Sequence, residues 1–277
     1  AAPLAGISED ADLTLRAARA LKAASGTAKG ARIALTKCLP VGSGLGGGSS
    51  DAASTLLALN ELWGLHWPPA ELARLGLGLG ADVPVFVYGR AAWAEGVGEI
   101  LTPAEPVESW YVVLVPPVSV PTARVFAALV LGRMPECRGA VATAIPWPFA
   151  TLPHPCGSQD AHDSTNGGGR AKQDARAEER QLTHFTPAIT IRDFLAGRTR
   201  NDLEPVVGRL YSEVDKTLVW LRRFGDARMS GSGGCVFLPV ASAEAGRAIL
   251  AQCPASQASG FVARGVNRHP LHAMIGL

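Results

Sequence analysis

Residues 12–21 place apolar side chains at Leu13, Leu15, Ala18 and Leu21, a helical spacing, with Asp12 positioned to cap the first turn. Residues 31–35 then alternate apolar positions with Arg32 and Ala34, which predicts a strand, until Pro40 ends regular structure and opens a run of glycines. Helical spacing returns from Ser50 through Ala52, Ala53, Leu56, Leu57, Asn60 and Trp63, with serines ahead of it as caps. A short helix over 69–75 leads into Gly76-Leu77-Gly78-Leu79-Gly80 and then Ala81-Asp82-Val83-Pro84. Strands are predicted over 91–95 and 110–115; the second is apolar throughout and therefore central in a sheet. Farther on, the pattern predicts a helix over 203–224, a strand ending in Gly231-Ser232-Gly233-Gly234, a strand over 235–240, a helix over 243–252 and a strand over 260–264.

Composition narrows the class. The chain has 277 residues, 47% of them hydrophobic, which is enough to bury one large or two ordinary cores. A boundary near 107 divides it into domains of 1–106 and 107–277. Residues 156–181 contain no Val, Ile, Leu, Met, Phe, Trp or Tyr, so they lack the apolar surface that offsets ordering entropy and read as a flexible insertion. With 26 basic and 24 acidic residues there is no polybasic field for nucleic acid or an anionic membrane. No apolar run reaches the roughly 18 to 20 residues of a spanning helix, and the start lacks a signal-peptide pattern, so a cytoplasmic location is expected. Five scattered cysteines, at 38, 137, 156, 235 and 253, form no CxxC pair, which argues against a disulfide framework or structural zinc. His269 and His272 are three apart but have no further ligand nearby. The chain opens on Ala1 rather than Met, and upstream residues are expected.

The sharpest chemistry is in Pro40-Val41-Gly42-Ser43-Gly44-Leu45-Gly46-Gly47-Gly48-Ser49-Ser50, which runs directly into a helix. Five glycines and three serines in nine residues leave the backbone free to take positive φ and put no side chain in an anion's way. Amides of the loop and of the first helical turn, aided by the helix dipole, suit a phosphate. Gly42, Gly44 and Gly47 match GxGxxG, but a dinucleotide fold needs a strand ending in an acid about 20 residues later, and here that window is helical. A P-loop needs a lysine before its Ser or Thr, and Gly48-Ser49-Ser50 has none.

The pattern resembles instead the glycine loop of the GHMP small-molecule kinases. Further blocks extend the resemblance in order: Leu79-Gly80-Ala81-Asp82-Val83-Pro84, Glu95-Gly96-Val97-Gly98-Glu99, Asn201-Asp202-Leu203-Glu204-Pro205, Ser230-Gly231-Ser232-Gly233-Gly234 and Gly265-Val266-Asn267-Arg268-His269-Pro270. Together they are most similar to the family's kinases whose acceptor alcohol carries a cytidine diphosphate group, in the non-mevalonate route to isoprenoid precursors. The resemblance implies an α+β GHMP kinase fold, with a ribosomal-protein-S5-like N-terminal domain that binds ATP and a ferredoxin-like C-terminal domain. It implies ATP and Mg2+, transfer to an alcohol, no nucleic-acid or membrane partner, and a monomer or homodimer.

The residue roles it implies are these. Asp82 is the catalytic base, and Lys37 with Pro40, Val41, Gly42, Ser43, Gly44, Leu45, Gly46, Gly47, Gly48, Ser49 and Ser50 binds ATP. Phe126 stacks on the cytosine, and Val97 is an apolar wall of the same pocket. The metal ligands are unassigned beyond the hydroxyl of Ser49 or Ser50. Asp12 stands where the family has an asparagine that reads adenine, and it lacks the amide's donor. The family's lysine-bearing Ala-Lys-x-Asn-Leu strand and its Tyr-His pair are not in this sequence; they belong to initial strands that precede the point where it begins. Two other readings stay open: a non-catalytic nucleotide-binding fragment, and a GHMP kinase acting on another small alcohol.

Overall fold

Helix α1, Leu13–Ser25, forms where the sequence predicts it: the Asp12 carboxylate accepts from the Thr14 N–H (2.8 Å), and Gly26 ends it in left-handed backbone. It packs on α2, Gly47–Leu62, where Ala17, Leu21, Ala52, Ala53 and Leu56 share one buried core and the three alanines let the helices approach closely. Helices α3, Pro69–Leu77, and α4, Val83–Tyr88, close this first core with Leu72, Val83 and Val87. The computed structural model describes residues 8–133 and 200–274, all within one compact unit; the insertion expected over 156–181 lies outside the described residues. Among the described residues, no helix is long and apolar enough to cross a membrane.

A hairpin of β1, Ala92–Glu95, and β2, Ile100–Pro103, follows. The second core is built on a four-stranded antiparallel sheet in the order β4 (Arg228–Met229), β5 (Val236–Val240), β3 (Trp110–Val115), β6 (Ser259–Arg264). Strand β3 lies between β5 and β6, with Val112 opposite both Leu238 and Val262, as its uninterrupted apolar run requires. Helix α5, Thr122–Arg133, the helices Glu204–Leu210 and Ser212–Leu221, and the helix Ala243–Leu250 complete a β-α-β-β-α-β order, the split βαβ of ferredoxin-like folds. Val207, Leu218, Leu221, Val236 and Leu238 fill this core.

Three expectations from the pattern are corrected. Residues 31–35 form no strand: burial alternates along them, but no neighbouring edge pairs with the backbone among the described residues, and a strand exists only in its ladder. Lys29 and Trp63 tie this stretch to the end of α2 instead, through hydrogen bonds to the carbonyls of Trp63 and Gly30. Helix α2 begins at Gly47 with Gly46 as its cap, so the serines are first-turn residues rather than caps. The helix expected over 203–224 breaks at Tyr211, whose backbone is extended (φ −135°, ψ 91°). Both pieces keep their apolar residues on the second core, so the break leaves the hydrophobic pattern intact and invisible. Helix α4, strand β2, helix α5 and the short helix Pro270–Met274 were not anticipated.

Candidate functional site

Three glycines turn the loop into α2 in left-handed backbone: Gly42 (φ 69°), Gly44 (φ 73°) and Gly46 (φ 70°). Placing left-handed residues between right-handed ones turns neighbouring N–H groups toward one side, the geometry of an anion nest. Among the described residues, no acceptor is found for any backbone N–H from Gly42 to Ser49. Those of Gly47, Gly48 and Ser49 are the free donors of a helix start, where the dipole also favours negative charge. The loop lines a cleft of about 350 Å³, whose wall also includes Asp12, Lys37, Asp51, Asp82, Thr122 and Ser232.

The second glycine loop, 230–234, is packed backbone to backbone against the first. A Cβ at Gly44 would lie 2.6 Å from the Ser230 carbonyl oxygen, and one at Gly234 would lie 2.8 Å from the Gly42 carbonyl oxygen. The Ser230 hydroxyl donates to the Gly44 carbonyl (2.8 Å), and the Cys235 N–H donates to the Ser43 carbonyl (2.9 Å). It is thus both a tight turn and a wall of the cleft. Burial pushes the Cys235 thiol up to about 11, against a smaller opposing effect of a hydrogen bond with the Ser43 side chain, so it stays a neutral, unreactive thiol under the loop.

Asp82 occupies the N-cap position of α4 but makes no capping bond. Pro84 stands at the second helical position and has no N–H for the aspartate to accept, so the usual cap is weakened by the sequence itself. The carboxylate is left for the cleft. Its sequence neighbours Gly80, Ala81, Val83 and Pro84 are uncharged, a setting that would make a buried carboxylate costly, but Asp82 is exposed. Its backbone position is fixed from the other side by the hairpin tip, where a Cβ at Gly98 (φ 120°) would sit 2.2 Å from the Ala81 carbonyl oxygen.

Lys37 is partly buried and ion-paired with Asp51, the fifth residue of α2. The pattern gave Asp51 no role, and only the fold brings the two together. Asp12 lines the same cleft while capping α1. The structure therefore gathers Lys37, Pro40, Val41, Gly42, Ser43, Gly44, Leu45, Gly46, Gly47, Gly48, Ser49 and Asp82 around one cavity. Ser50, Val97 and Phe126 are not among its lining residues. The Ser50 N–H donates to the Gly46 carbonyl as the first rung of the helix; Val97 is exposed at the hairpin tip, where its N–H donates to Glu99; Phe126 is exposed on α5. Glu204 pairs with Arg222 (2.6 Å) and accepts from the Met229 N–H, a structural role. Among the described residues, no cluster of His, Cys, Asp or Glu is arranged to hold a metal.

A glycine loop with free amides, an uncapped carboxylate and an ion-paired lysine line one cleft, an arrangement that suits a small-molecule kinase. The model of the GHMP kinases N-terminal domain matches residues 12–90 and that of the C-terminal domain matches 187–258, and the chain belongs to the GHMP kinase family. Among its relatives, the 4-diphosphocytidyl-2-C-methyl-D-erythritol kinase of Thiobacillus denitrificans is 46% identical over 272 residues, covering 98% of this chain and 79% of that protein. The enzyme of the same name from Aromatoleum aromaticum is 41% identical over 276 residues, 100% of this chain and 79% of its own. A crystal structure of a 4-(cytidine 5'-diphospho)-2C-methyl-D-erythritol kinase, 30% identical, matches with a TM-score of 0.60 over 91% of this chain and 77% of that one. The homoserine kinase of Cytophaga hutchinsonii, 17% identical with a TM-score of 0.58 over 95% of this chain and 79% of that one, is alike in fold.

Proposed function

We propose that the protein transfers the γ-phosphoryl group of ATP to the 2-hydroxyl of 4-diphosphocytidyl-2-C-methyl-D-erythritol, a step toward isoprenoid precursors by the non-mevalonate route. The observation that carries this reading is the row of unpartnered amides from Gly42 to Ser49 in one cleft with the uncapped carboxylate of Asp82. The amides hold the triphosphate, and Lys37 adds positive charge beside it. Asp82 orients the acceptor hydroxyl and takes its proton as the new O–P bond forms and the bond to the bridging oxygen of ADP breaks. Asp12 offers the nucleobase an acceptor and no donor.

Magnesium fits the donors present. The Ser49 hydroxyl is a hard oxygen ligand of the kind it prefers, and a bound ion would offset charge on the phosphates. The cytidine end of the acceptor lies, in this reading, outside the phosphate cleft, against the exposed face of Phe126 on α5 and Val97 at the hairpin tip. We take the family's division into domains at about residue 106. The enzyme is taken as cytoplasmic, a monomer or homodimer, with no nucleic-acid or membrane partner.

The deciding experiment is ATP-dependent phosphorylation of the cytidyl alcohol by this chain and by one extended upstream of Ala1 with its native residues. Turnover by either supports the reading; if only the extended chain turns over, the preceding strands complete the site. If neither turns over while both bind ATP, the substrate assignment falls and the nucleotide cradle stands.

A further inference from the structure

The block Asn201-Asp202-Leu203-Glu204-Pro205 has no part in the chemistry described so far, yet its first residue touches the second glycine loop at two points. The Asn201 carboxamide nitrogen donates to the Gly231 carbonyl (2.8 Å) and the Met229 carbonyl (3.2 Å), the residues on either side of Ser230. Its oxygen accepts from the Leu203 N–H (3.0 Å), which locks the side chain in an Asx turn and fixes which way the amide faces. Ser230 is further held by its N–H to the Cys235 carbonyl (3.0 Å) and by the Gly233 N–H to its own carbonyl (3.0 Å).

Two consecutive peptides of the first loop hang on this brace. The Ser230 hydroxyl holds the carbonyl of Gly44, and the Cys235 N–H holds the carbonyl of Ser43. In a planar trans peptide the N–H points opposite to the C=O, so fixing these two carbonyls on the second loop turns the N–H groups of Gly44 and Leu45 away from it. Both are among the amides left without an acceptor. We propose that Asn201 is a positioning residue for phosphate binding: by clamping the carbonyls that flank Ser230, it aims the amides of Gly44 and Leu45 at the nucleotide. It touches neither nucleotide nor acceptor. The inference rests on the kinase reading above, since it needs a phosphate in the nest.

The chain Asn201, Ser230, Gly44 gives a test in the full-length protein. Asn201→Asp keeps the oxygen that accepts from Leu203 but replaces both donors with acceptors facing two carbonyls; Ser230→Ala removes the next link. ADP and ATP binding by calorimetry should weaken about 10-fold in each, the size of one lost net hydrogen bond. The double variant should be little worse than the weaker single one, because both break the same relay. The KM of the acceptor alcohol should stay within about twofold. Asn201→Ser, which retains a donor and an acceptor, should recover part of the loss, and it carries the test if the aspartate variant does not fold. A purely structural role would lower the melting temperature and the active fraction with dissociation constants unchanged; that result, or additive effects in the double variant, overturns the proposal while leaving the kinase reading intact. A wild-type protein that binds neither nucleotide overturns both.

Discussion

Lys37 and Asp51 form an ion pair in the wall of the cleft lined by the first glycine loop, with side chains 21% and 28% exposed. Asp51 is the fifth residue of α2, just past its first turn, and in the proposed reading its negative charge opposes that of the triphosphate. Lys37 offsets that charge and keeps the cradle attractive to phosphate. Lys37→Ala should therefore raise the KM for ATP about 10-fold or more, since it removes a cation and also leaves a carboxylate unpaired beside the phosphates. Asp51→Asn added to it should restore part of the loss. Steady-state kinetics of the two single variants and the double variant measure this, and strictly additive losses would contradict the pairing argument.

Asp82 is the base of the proposed reaction. Because it makes no capping bond, replacing it by asparagine leaves α4 without a lost tether and should not disturb the cradle. Asp82→Asn is expected to lower kcat by about 10² or more with ATP affinity largely kept. Unchanged turnover would remove Asp82 from the mechanism, whereas a matched loss of ATP binding would make it part of the cradle.

Phe126 is 42% exposed on α5, an aromatic face turned to water where a core residue would be covered. If the cytosine stacks there, Phe126→Ala should raise the KM of the cytidyl alcohol by roughly 5- to 150-fold, the equivalent of about 1–3 kcal/mol of base stacking, with the KM for ATP unmoved. A kinase acting on an alcohol without a base would show no such change, so the same variant separates the two acceptors.

How much of this was legible before the fold was known follows from the range of each signal. The glycine loop was readable because its chemistry is local: Gly42, Gly44 and Gly46 each need left-handed backbone, and the sequence supplies glycine at each. Strand β3 was readable because burial on both faces leaves an unbroken apolar run. The break at Tyr211 was not, because both helices present their apolar residues to one core and periodicity survives it. The Asp51 pairing, the clamp of Asn201 and the seat of Gly98 on Ala81 were hidden for another reason. Each is a contact between segments far apart in the chain, and nothing in the local pattern records it. At Asp82 the local sequence does carry a signal: Pro84 removes an N–H that the carboxylate would accept from as a cap.

His269 joins the end of the chain to the element that follows Asp82, and it gives the fold a dependence on acid. Its N–H donates to the Gly89 carbonyl (2.9 Å), its ring nitrogen Nδ1 accepts from the Leu271 N–H (3.2 Å), and its ring meets Phe86 edge-on. Burial, and secondarily the neighbouring His272, hold the imidazole below its ordinary value of 6.5. The unfolded chain therefore takes up a proton at this residue before the folded one does. Stability from this site is complete above the unfolded value and is lost as the pH falls through it toward the folded pKa, where the loss levels off. His269→Asn can still offer an acceptor to Leu271 but does not titrate. Urea unfolding of both proteins at pH 8 and at intervals down to pH 5 should show the wild type losing more stability below about pH 6.5 than the asparagine variant. Parallel pH profiles would mean that the half-buried ring is as easily protonated in the fold as in the open chain.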